Sequence, residues 1–149
     1  MVMFVNRLTP PSYPATLKNV QIYFGNRPDG LQAGASIAIV LATNPSGSAA
    51  FSASSAGTFR TPATTVLAAG AFNTYSLSQP ITIDAGDFVV GFKTGNPAGI
   101  YPADQDRLTP SQGRSYVSTD GKAFDAIDSI SAGVAGNFGI RATVTVGAK

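Results

Sequence analysis

Two aspartates, Asp84 and Asp87, stand three positions apart in the stretch ITIDAGDF. Such a pair could hold a metal ion or act as an acid/base couple. A calcium site, however, needs about six oxygen ligands from several segments, and this pair supplies two at most. Turn chemistry accounts for the stretch more simply. We expect Asp84 to accept backbone N–H groups, Gly86 to take a positive φ, and Asp87 to solvate the start of the next strand.

A second group combines an aromatic ring, two acids and two bases in an irregular segment: Tyr101, Asp104, Asp106, Arg107 and, shortly after, Arg114. Loops carried by rigid sheets are where binding sites concentrate. The acids could hold Ca²⁺, or the group could hydrogen-bond a sugar while Tyr101 stacks on it. The alternative is a crossover between two sheets, pinned by proline and by Asp–Arg pairing. We take these five residues as the candidate ligand-binding group.

Catalysis has little support in the composition, because the chain has no His, Cys, Glu or Trp. Their absence excludes Ser-His-Asp and Cys-His triads, His-ligated metal sites and Cys-ligated zinc. The serine in GRSY (113–116) lacks the G-x-S-x-G context, and we expect Tyr116 to be a core or rim aromatic. An enzyme would need two aspartates facing each other across a cleft, and nothing selects such a pair. We predict no enzymatic activity, no metal site and no cofactor; calcium is chemically compatible but has no ligand signature.

The charge and hydropathy patterns limit the kinds of partner that the chain could bind. The net charge is +2, and the ten basic residues are scattered singly along the chain. Nucleic-acid binding normally needs a clustered basic face, so we predict no nucleic-acid partner. No apolar run approaches the ~18 residues of a membrane-spanning helix. The opening MVMFVNRL lacks an extended apolar segment, so we expect neither a signal peptide nor membrane insertion.

Elements that could position these residues are strands rather than helices. Charged residues make up 12% of the chain, about half the usual share. The absence of Glu argues against helix surfaces, and recurrent Val, Ile, Thr, Phe and Tyr between Gly, Pro and Asn are typical of strands joined by tight turns. The length of 149 residues is sufficient for one domain, which we place at 1–149.

Period-two alternation of apolar residues predicts an all-β fold with eight or nine short strands. These strands are expected among ten candidate stretches: 2–6, 16–24, 35–43, 58–66, 73–78, 81–83, 88–93, 114–118, 123–127 and 138–146. Within 88–93, Phe88, Val90 and Phe92 point one way and Val89 the other, as expected for a central strand buried on both faces. The small residues of 46–57 predict a long surface loop. Together these features predict a two-sheet antiparallel β-sandwich, of the jelly-roll type.

Four segments carry a resemblance to a known kind of module: YPATLKNVQIYF (13–24), FNTYSLSQPITIDAGDFVVGF (72–92), SQGRSYVSTDGKAF (111–124) and GNFGIRATV (136–144). In this order they resemble the jelly-roll accessory modules of secreted bacterial proteins, often attached C-terminal to extracellular peptidases. The resemblance implies a secreted, extracellular, non-catalytic β-sandwich that aids adhesion, binding or stabilisation of a parent protein. Its partners would be parent-protein domains or an extracellular polymer. The resemblance implies no catalytic residues.

Two other functions stay open at this point. Low charge, many small residues and apolar terminal strands are compatible with a homo-oligomer, as in a self-assembling subunit of an extracellular filament, surface layer or particle. Alternatively, the chain is a carbohydrate-binding module. Its sugar-stacking platforms would then be drawn from the tyrosines, Tyr13, Tyr23, Tyr75, Tyr101 and Tyr116.

Overall fold

Twelve strands form antiparallel sheets in the residues that the computed structural model describes, 1–95, 102–106, 108–130 and 135–147. They are β1 (Val2–Leu8), β2 (Ala15–Phe24), β3 (Ser36–Asn44), β4 (Phe59–Arg60), β5 (Ala63–Thr65), β6 (Ala71–Ile83), β7 (Asp87–Thr94), β8 (Gln105–Asp106), β9 (Ser115–Ser118), β10 (Asp125–Ala126), β11 (Asn137–Phe138) and β12 (Ile140–Val146). A short 3₁₀ turn (Ala53–Ser55) and one helical turn, α1 (Ile127–Ile130), complete these elements.

The two-sheet antiparallel sandwich predicted from the sequence is confirmed. The large sheet has the order β10-β9-β1-β7-β3-β4, with β5 also paired to β3; the small sheet is β12-β2-β6. The chain changes sheet between β1 and β2, β2 and β3, β5 and β6, and β6 and β7, as expected of a jelly roll. The predicted strand number was too low, because the stretch 58–66 divides into two strands and the ribbon of β8 and β11 was not foreseen.

The main core lies between the two sheets. Its centre is the side chain of Phe92, which is 1% exposed and whose ring centroid lies 5.1 Å from that of Phe24 and 5.4 Å from that of Phe4. Burying an aromatic or branched apolar side chain of this kind contributes about 1.5–3 kcal/mol. The alternation predicted for β7 is confirmed: Phe88, Val90 and Phe92 enter this core while Val89 enters the opposite one.

A second apolar cluster covers the other face of the large sheet. The segment 46–57 is mostly exposed, as predicted, yet its one aromatic residue, Phe51, is 3% exposed. The Phe51 ring packs on that of Phe124 at 5.1 Å, above Val89 and Val40 of the sheet. The central strands of the large sheet, β1, β7 and β3, are therefore buried on both faces.

The small sheet is buried on one face only. Its outward positions are exposed or half-buried and almost entirely polar, and the strand register arranges them in rows across β6, β2 and β12. We call this surface the polar face. Its first row holds the two aromatic residues, Phe72 and Tyr23, and the next three rows are polar: Thr74, Gln21 and Arg141, then Ser76, Asn19 and Thr143, then Thr82, Thr16 and Thr145. This surface is open to solvent in the part of the chain that the structure describes.

The DAGD turn between β6 and β7 is confirmed. Gly86 has φ +68°, and a Cβ there would overlap the carbonyl oxygen of Asn44 and lie 2.5 Å from that of Pro45. The role expected for Asp84 is not seen: it is exposed, and its carboxylate makes no hydrogen bond that the structure records within the described ranges. Gly86 is therefore the residue that fixes this turn.

The expectation for Asp87 was wrong, since this residue is 5% exposed and does not solvate the strand. Its carboxylate forms an ion pair with Arg7 and accepts a hydrogen bond from Thr9 Oγ1 at 2.6 Å. Arg114 Nη1 lies 3.7 Å from Asp87 Oδ2, and Arg7 Nε donates to Tyr116 Oη at 3.1 Å. Burial disfavours the charged guanidinium, but the hydrogen bonds to Tyr116 and Asp87 outweigh it and raise the pKa of Arg7. Asp87 thus links β7, β1 and the segment leading into β9.

Replacing Gly86 with Val should destabilise the fold by about 2–4 kcal/mol, because the turn needs a left-handed φ and leaves no room for a Cβ. Asp84→Asn, two residues away on the exposed side of the same turn, should change the free energy of unfolding by about 0.5 kcal/mol or less. Urea unfolding followed by circular dichroism measures both. Equal stability of the two variants would contradict this description of the turn.

Removing one partner of the buried ion pair should be costly. Asp87→Ala leaves the Arg7 guanidinium buried without its carboxylate and should lower the free energy of unfolding by about 3–5 kcal/mol. Asp29→Ala is the matched control, because it breaks an exposed pair with Arg27, 3.6 Å apart, and should cost about 1 kcal/mol or less. Losses of similar size in the two variants would show that the buried pair contributes no more than the surface one.

Candidate functional site

A groove passes the exposed ring of Phe72 at one end of the polar face. It consists of two adjoining depressions of about 340 and 370 Å³ that share Phe72, Asp106 and Gly139. The other lining residues are Asn6, Leu8, Tyr23, Asp104, Gln105, Thr109, Gln112, Arg114, Ser115, Asn137, Phe138, Ile140 and Arg141. The groove therefore lies between the polar face and the loop that precedes β9.

The outward direction of Phe72 follows from its neighbour Asn73, which is 2% exposed. Asn73 Oδ1 accepts hydrogen bonds from the backbone N–H groups of Leu67 (2.7 Å) and Ala68 (2.9 Å). Its Nδ2 donates to the carbonyl oxygens of Ala68 and Ala71. Asn73 is thus fixed inward, and because successive strand residues point to opposite faces, Phe72 must point outward.

Phe72 is 41% exposed and held from two sides. The ring of Tyr23 meets it edge-on, with centroids 5.4 Å apart and an interplanar angle of 67°. The Cζ atom of Arg141 lies 3.8 Å from the Phe72 ring centroid, a cation–π contact. Arg141 Nε also donates to Gln21 Oε1 at 2.5 Å. These contacts hold the aromatic ring and the guanidinium in place before any ligand arrives.

The opposite wall is the ribbon of β8 and β11, which buried side chains attach to the sandwich. Asn6 Nδ2 donates to the carbonyl oxygens of Phe138 (3.0 Å) and Ile140 (2.9 Å), and Asn6 Oδ1 accepts from Ser115 Oγ at 2.6 Å. Gly139 allows the close approach to β2, because a Cβ there would lie 3.0 Å from the Cβ of Tyr23. The ribbon wall of the groove is therefore hydrogen-bonded to β1 and packed against β2.

Asp104 and Asp106 lie on this wall and each has a structural partner. Asp104 pairs with Arg27 at 3.2 Å, and its carboxylate fills the space where Gly25 has no side chain. Asp106 accepts from the backbone N–H of Leu108 (2.9 Å) and from Thr109 Oγ1 (2.5 Å). The Thr109 hydroxyl, and after it the Leu108 N–H, lower the pKa of the Asp106 carboxyl, which is fully exposed.

The predicted binding group is only partly brought together. Asp106 and Arg114 line the same depression and Asp104 the adjoining one. Arg114 is turned inward, since its Nη1 donates to the Arg7 carbonyl oxygen (3.2 Å) and to Thr9 Oγ1 (3.0 Å). Tyr101 and Arg107 lie outside the described residues.

Sequence reasoning missed Phe72 and Arg141, while it named Tyr23 among several tyrosines. The sequence-based strand began at 73, one residue after Phe72, whereas β6 begins at Ala71. Since Asn73 and Tyr75 point inward, Phe72 shares the outward face with Thr74. Tyr75 and Tyr116 are buried and offer no platform for a sugar. Burial raises the pKa of Tyr75 to about 12, although a hydrogen bond from the Leu67 backbone opposes this.

Another depression, of about 340 Å³, opens between the sheets beside β3 and β6. Its floor is apolar, formed by Ile39 and Leu41, and the Arg60 guanidinium borders it by donating to the Gln79 carbonyl oxygen at 3.1 Å. The residue that gives it an aromatic wall, Tyr75, is 8% exposed. This depression therefore presents less aromatic surface than the groove at Phe72.

Neither a metal-ligand cluster nor a membrane-spanning helix was found within the described ranges. No group of three or more acidic residues is placed where it could hold a metal ion. No helix there combines the length and the apolarity needed to cross a membrane.

No family model and no curated protein matches the chain. Its fold is similar to that of two solved structures of Cwp84, one being the crystal structure of the cysteine protease and lectin-like domains of this surface-layer-associated protein of Clostridium difficile. That match has a TM-score of 0.59 and 17% identity, and covers 98% of this chain and 32% of that one. The second, the clostridial cysteine protease after propeptide cleavage, has the same TM-score and identity and is covered over 36% of its length. The chain thus spans about a third of each structure, and the likeness shows a shared fold over that part.

Proposed function

We propose that this chain is a non-catalytic, extracellular binding domain, 1–149, that binds a glycan in the groove at Phe72 and on the polar face beside it. The observation that carries the proposal is the partly exposed Phe72 ring, held by Tyr23 and Arg141 among polar side chains. Aromatic rings stack on the CH groups of sugars, and neighbouring polar groups bond the hydroxyls.

The polar face offers the hydrogen bonds that such a ligand needs. The hydroxyls of Thr74, Ser76 and Thr143 are exposed at its surface. Within the part of the chain that the structure describes, none of the three makes a recorded side-chain hydrogen bond. A sugar that binds there would therefore not have to displace an intramolecular partner, and the binding free energy would not be reduced by that cost.

The described carboxylates of the groove favour binding over hydrolysis. A glycosidase acid needs a raised pKa so that it is protonated near neutral pH, whereas the pKa of Asp106 is lowered. Asp104 is held by Arg27 against the backbone at Gly25. Asp104 and Asp106 therefore hold in place the loop that forms the groove wall.

The structural similarity supports a module of this kind in a longer protein. An all-β chain that spans about a third of Cwp84 fits the lectin-like part of that protein better than its cysteine protease part. A surface-layer-associated neighbour is also compatible with an extracellular location. By this proposal the chain attaches a parent protein to an extracellular polymer.

The proposal predicts that Phe72→Ala weakens glycan binding about tenfold, since an aromatic stacking contact of ~1.5 kcal/mol is lost. Affinity gel electrophoresis measures this, with soluble polysaccharides cast in the gel: polygalacturonate, alginate, hyaluronan, dextran and mannan. Phe72→Tyr keeps the ring and should retain affinity.

Leu67→Ala is the control, because Leu67 is 57% exposed but lies outside the groove and the polar face. It should migrate as the unmodified protein does. Absence of retardation by every polysaccharide would overturn the proposed function, as would equal loss of binding in the Leu67 and Phe72 variants.

A further inference from the structure

The ligand class can be narrowed from the charges around Phe72. Arg7, Arg27 and Arg114 each lie within 4 Å of an aspartate oxygen. Arg141 differs: no ion pair is recorded for it within the described residues, and it is exposed. Its guanidinium is therefore available to an external anion.

Arg141 is also held in place. Its Cζ lies 3.8 Å from the Phe72 centroid, and its Nε donates to Gln21 Oε1 at 2.5 Å. Gln21 Nε2 in turn lies 3.4 Å from Asn19 Oδ1 on the same strand. Nε is occupied by Gln21, and no hydrogen bond of the two terminal nitrogens is recorded within the described ranges. These two nitrogens are therefore the donors that Arg141 offers to a ligand. A guanidinium fixed in this way loses little side-chain entropy when it binds an anion.

The polar face carries no carboxylate that would repel an anion. Arg141 is the charged member of its rows, and Lys18 is exposed at the irregularity where the pairing of β2 with β6 shifts. Asp106 borders the groove beside Arg141 and keeps its negative charge, since Leu108 and Thr109 hydrogen-bond its carboxylate. The charged side chains on the polar face itself, Arg141 and the adjacent Lys18, are therefore cations, and they stand singly.

We infer that the glycan bound at this site is a linear acidic polysaccharide, and that Arg141 determines specificity by binding a sugar carboxylate. The inference rests on the proposed function. A planar carboxylate matches the fork of one guanidinium. Densely sulfated or phosphorylated chains are instead usually bound by clusters of basic residues.

The dimensions of the polar face indicate a chain rather than a single sugar. From Thr16 to Tyr23 along β2 the face extends roughly 24 Å, at a rise of ~3.4 Å per residue. Its rows continue from Phe72 and Arg141 past Asn19 to Thr16 without a barrier of bulky side chains. Longer acidic oligosaccharides should therefore bind more tightly than a disaccharide of the same sugar.

The test uses the full chain and three polysaccharides that carry uronate carboxylates: polygalacturonate, alginate and hyaluronan. The methyl ester of whichever binds is the comparison, since it keeps the sugar backbone and removes the charge. Arg141→Gln and methyl esterification should each weaken binding about tenfold or more, and Arg141→Lys should restore only part of the affinity. Lys122→Gln removes an exposed positive charge elsewhere and should leave binding unchanged. Binding should weaken with added salt in the unmodified protein and much less so in Arg141→Gln.

Each outcome has a distinct meaning. Equal binding of the free acid and its ester, or an Arg141→Gln variant with unchanged affinity, overturns the acidic-glycan inference while leaving the proposed function intact. Binding of dextran or mannan without binding of any of the three acidic polysaccharides likewise overturns the acidic-glycan inference and leaves the proposed function intact. Binding of no glycan at all overturns both proposals. A thermal melt of Arg141→Gln that matches the unmodified protein shows that a lost affinity is not a lost fold.

Discussion

The two sheets of this sandwich are buried unequally, and the position of the candidate site depends on that difference. The large sheet packs on the small sheet with one face and on Phe51 and Phe124 with the other. The small sheet buries apolar side chains on one face only, and its other face is polar apart from the rings of Phe72 and Tyr23. Apolar residues on both faces of a strand must be covered, so the segments 46–57 and 119–126 pack over the outer face of the large sheet. The polar face remains open, and Phe72 is the aromatic ring placed at its end.

Buried polar groups then set the geometry at the DAGD turn and at the groove. At one corner the pair of Asp87 and Arg7 joins the DAGD turn to β1. At the groove, Asn6 holds the β11 ribbon and Asn73 fixes the entry into β6. Each group has its hydrogen-bond partners, so its desolvation is compensated and it specifies one arrangement. The aromatic ring and Arg141 are positioned by this rigid frame.

The parts of the structure that depend on local sequence could be predicted. The alternation in β7 identifies a strand buried on both faces, and Gly86 identifies a turn with positive φ. The burial of Asp87 could not be foreseen, because its partner Arg7 lies 80 positions away in the chain. The pairing of Asp104 with Arg27 is equally non-local.

The candidate site was predicted in its region but not in its main residues. The loop of Asp104, Asp106 and Arg114 does border the groove, yet those side chains mainly hold the loop in place. Phe72 was overlooked because its direction depends on where β6 begins, which Asn73 decides through backbone hydrogen bonds. Arg141 could not be identified because its position depends on contacts with Phe72 and Gln21, which lie on two other strands.

The central claim is that the polar face and the groove at Phe72 form the ligand surface. Mapping of backbone amide chemical-shift changes by NMR, on addition of a bound oligosaccharide, tests it most directly. The account predicts the largest changes along β2 and β12 near Gln21 and Arg141 and at the start of β6. Changes confined to the depression at Ile39 and Leu41, or to the segments that cover the large sheet, would contradict it.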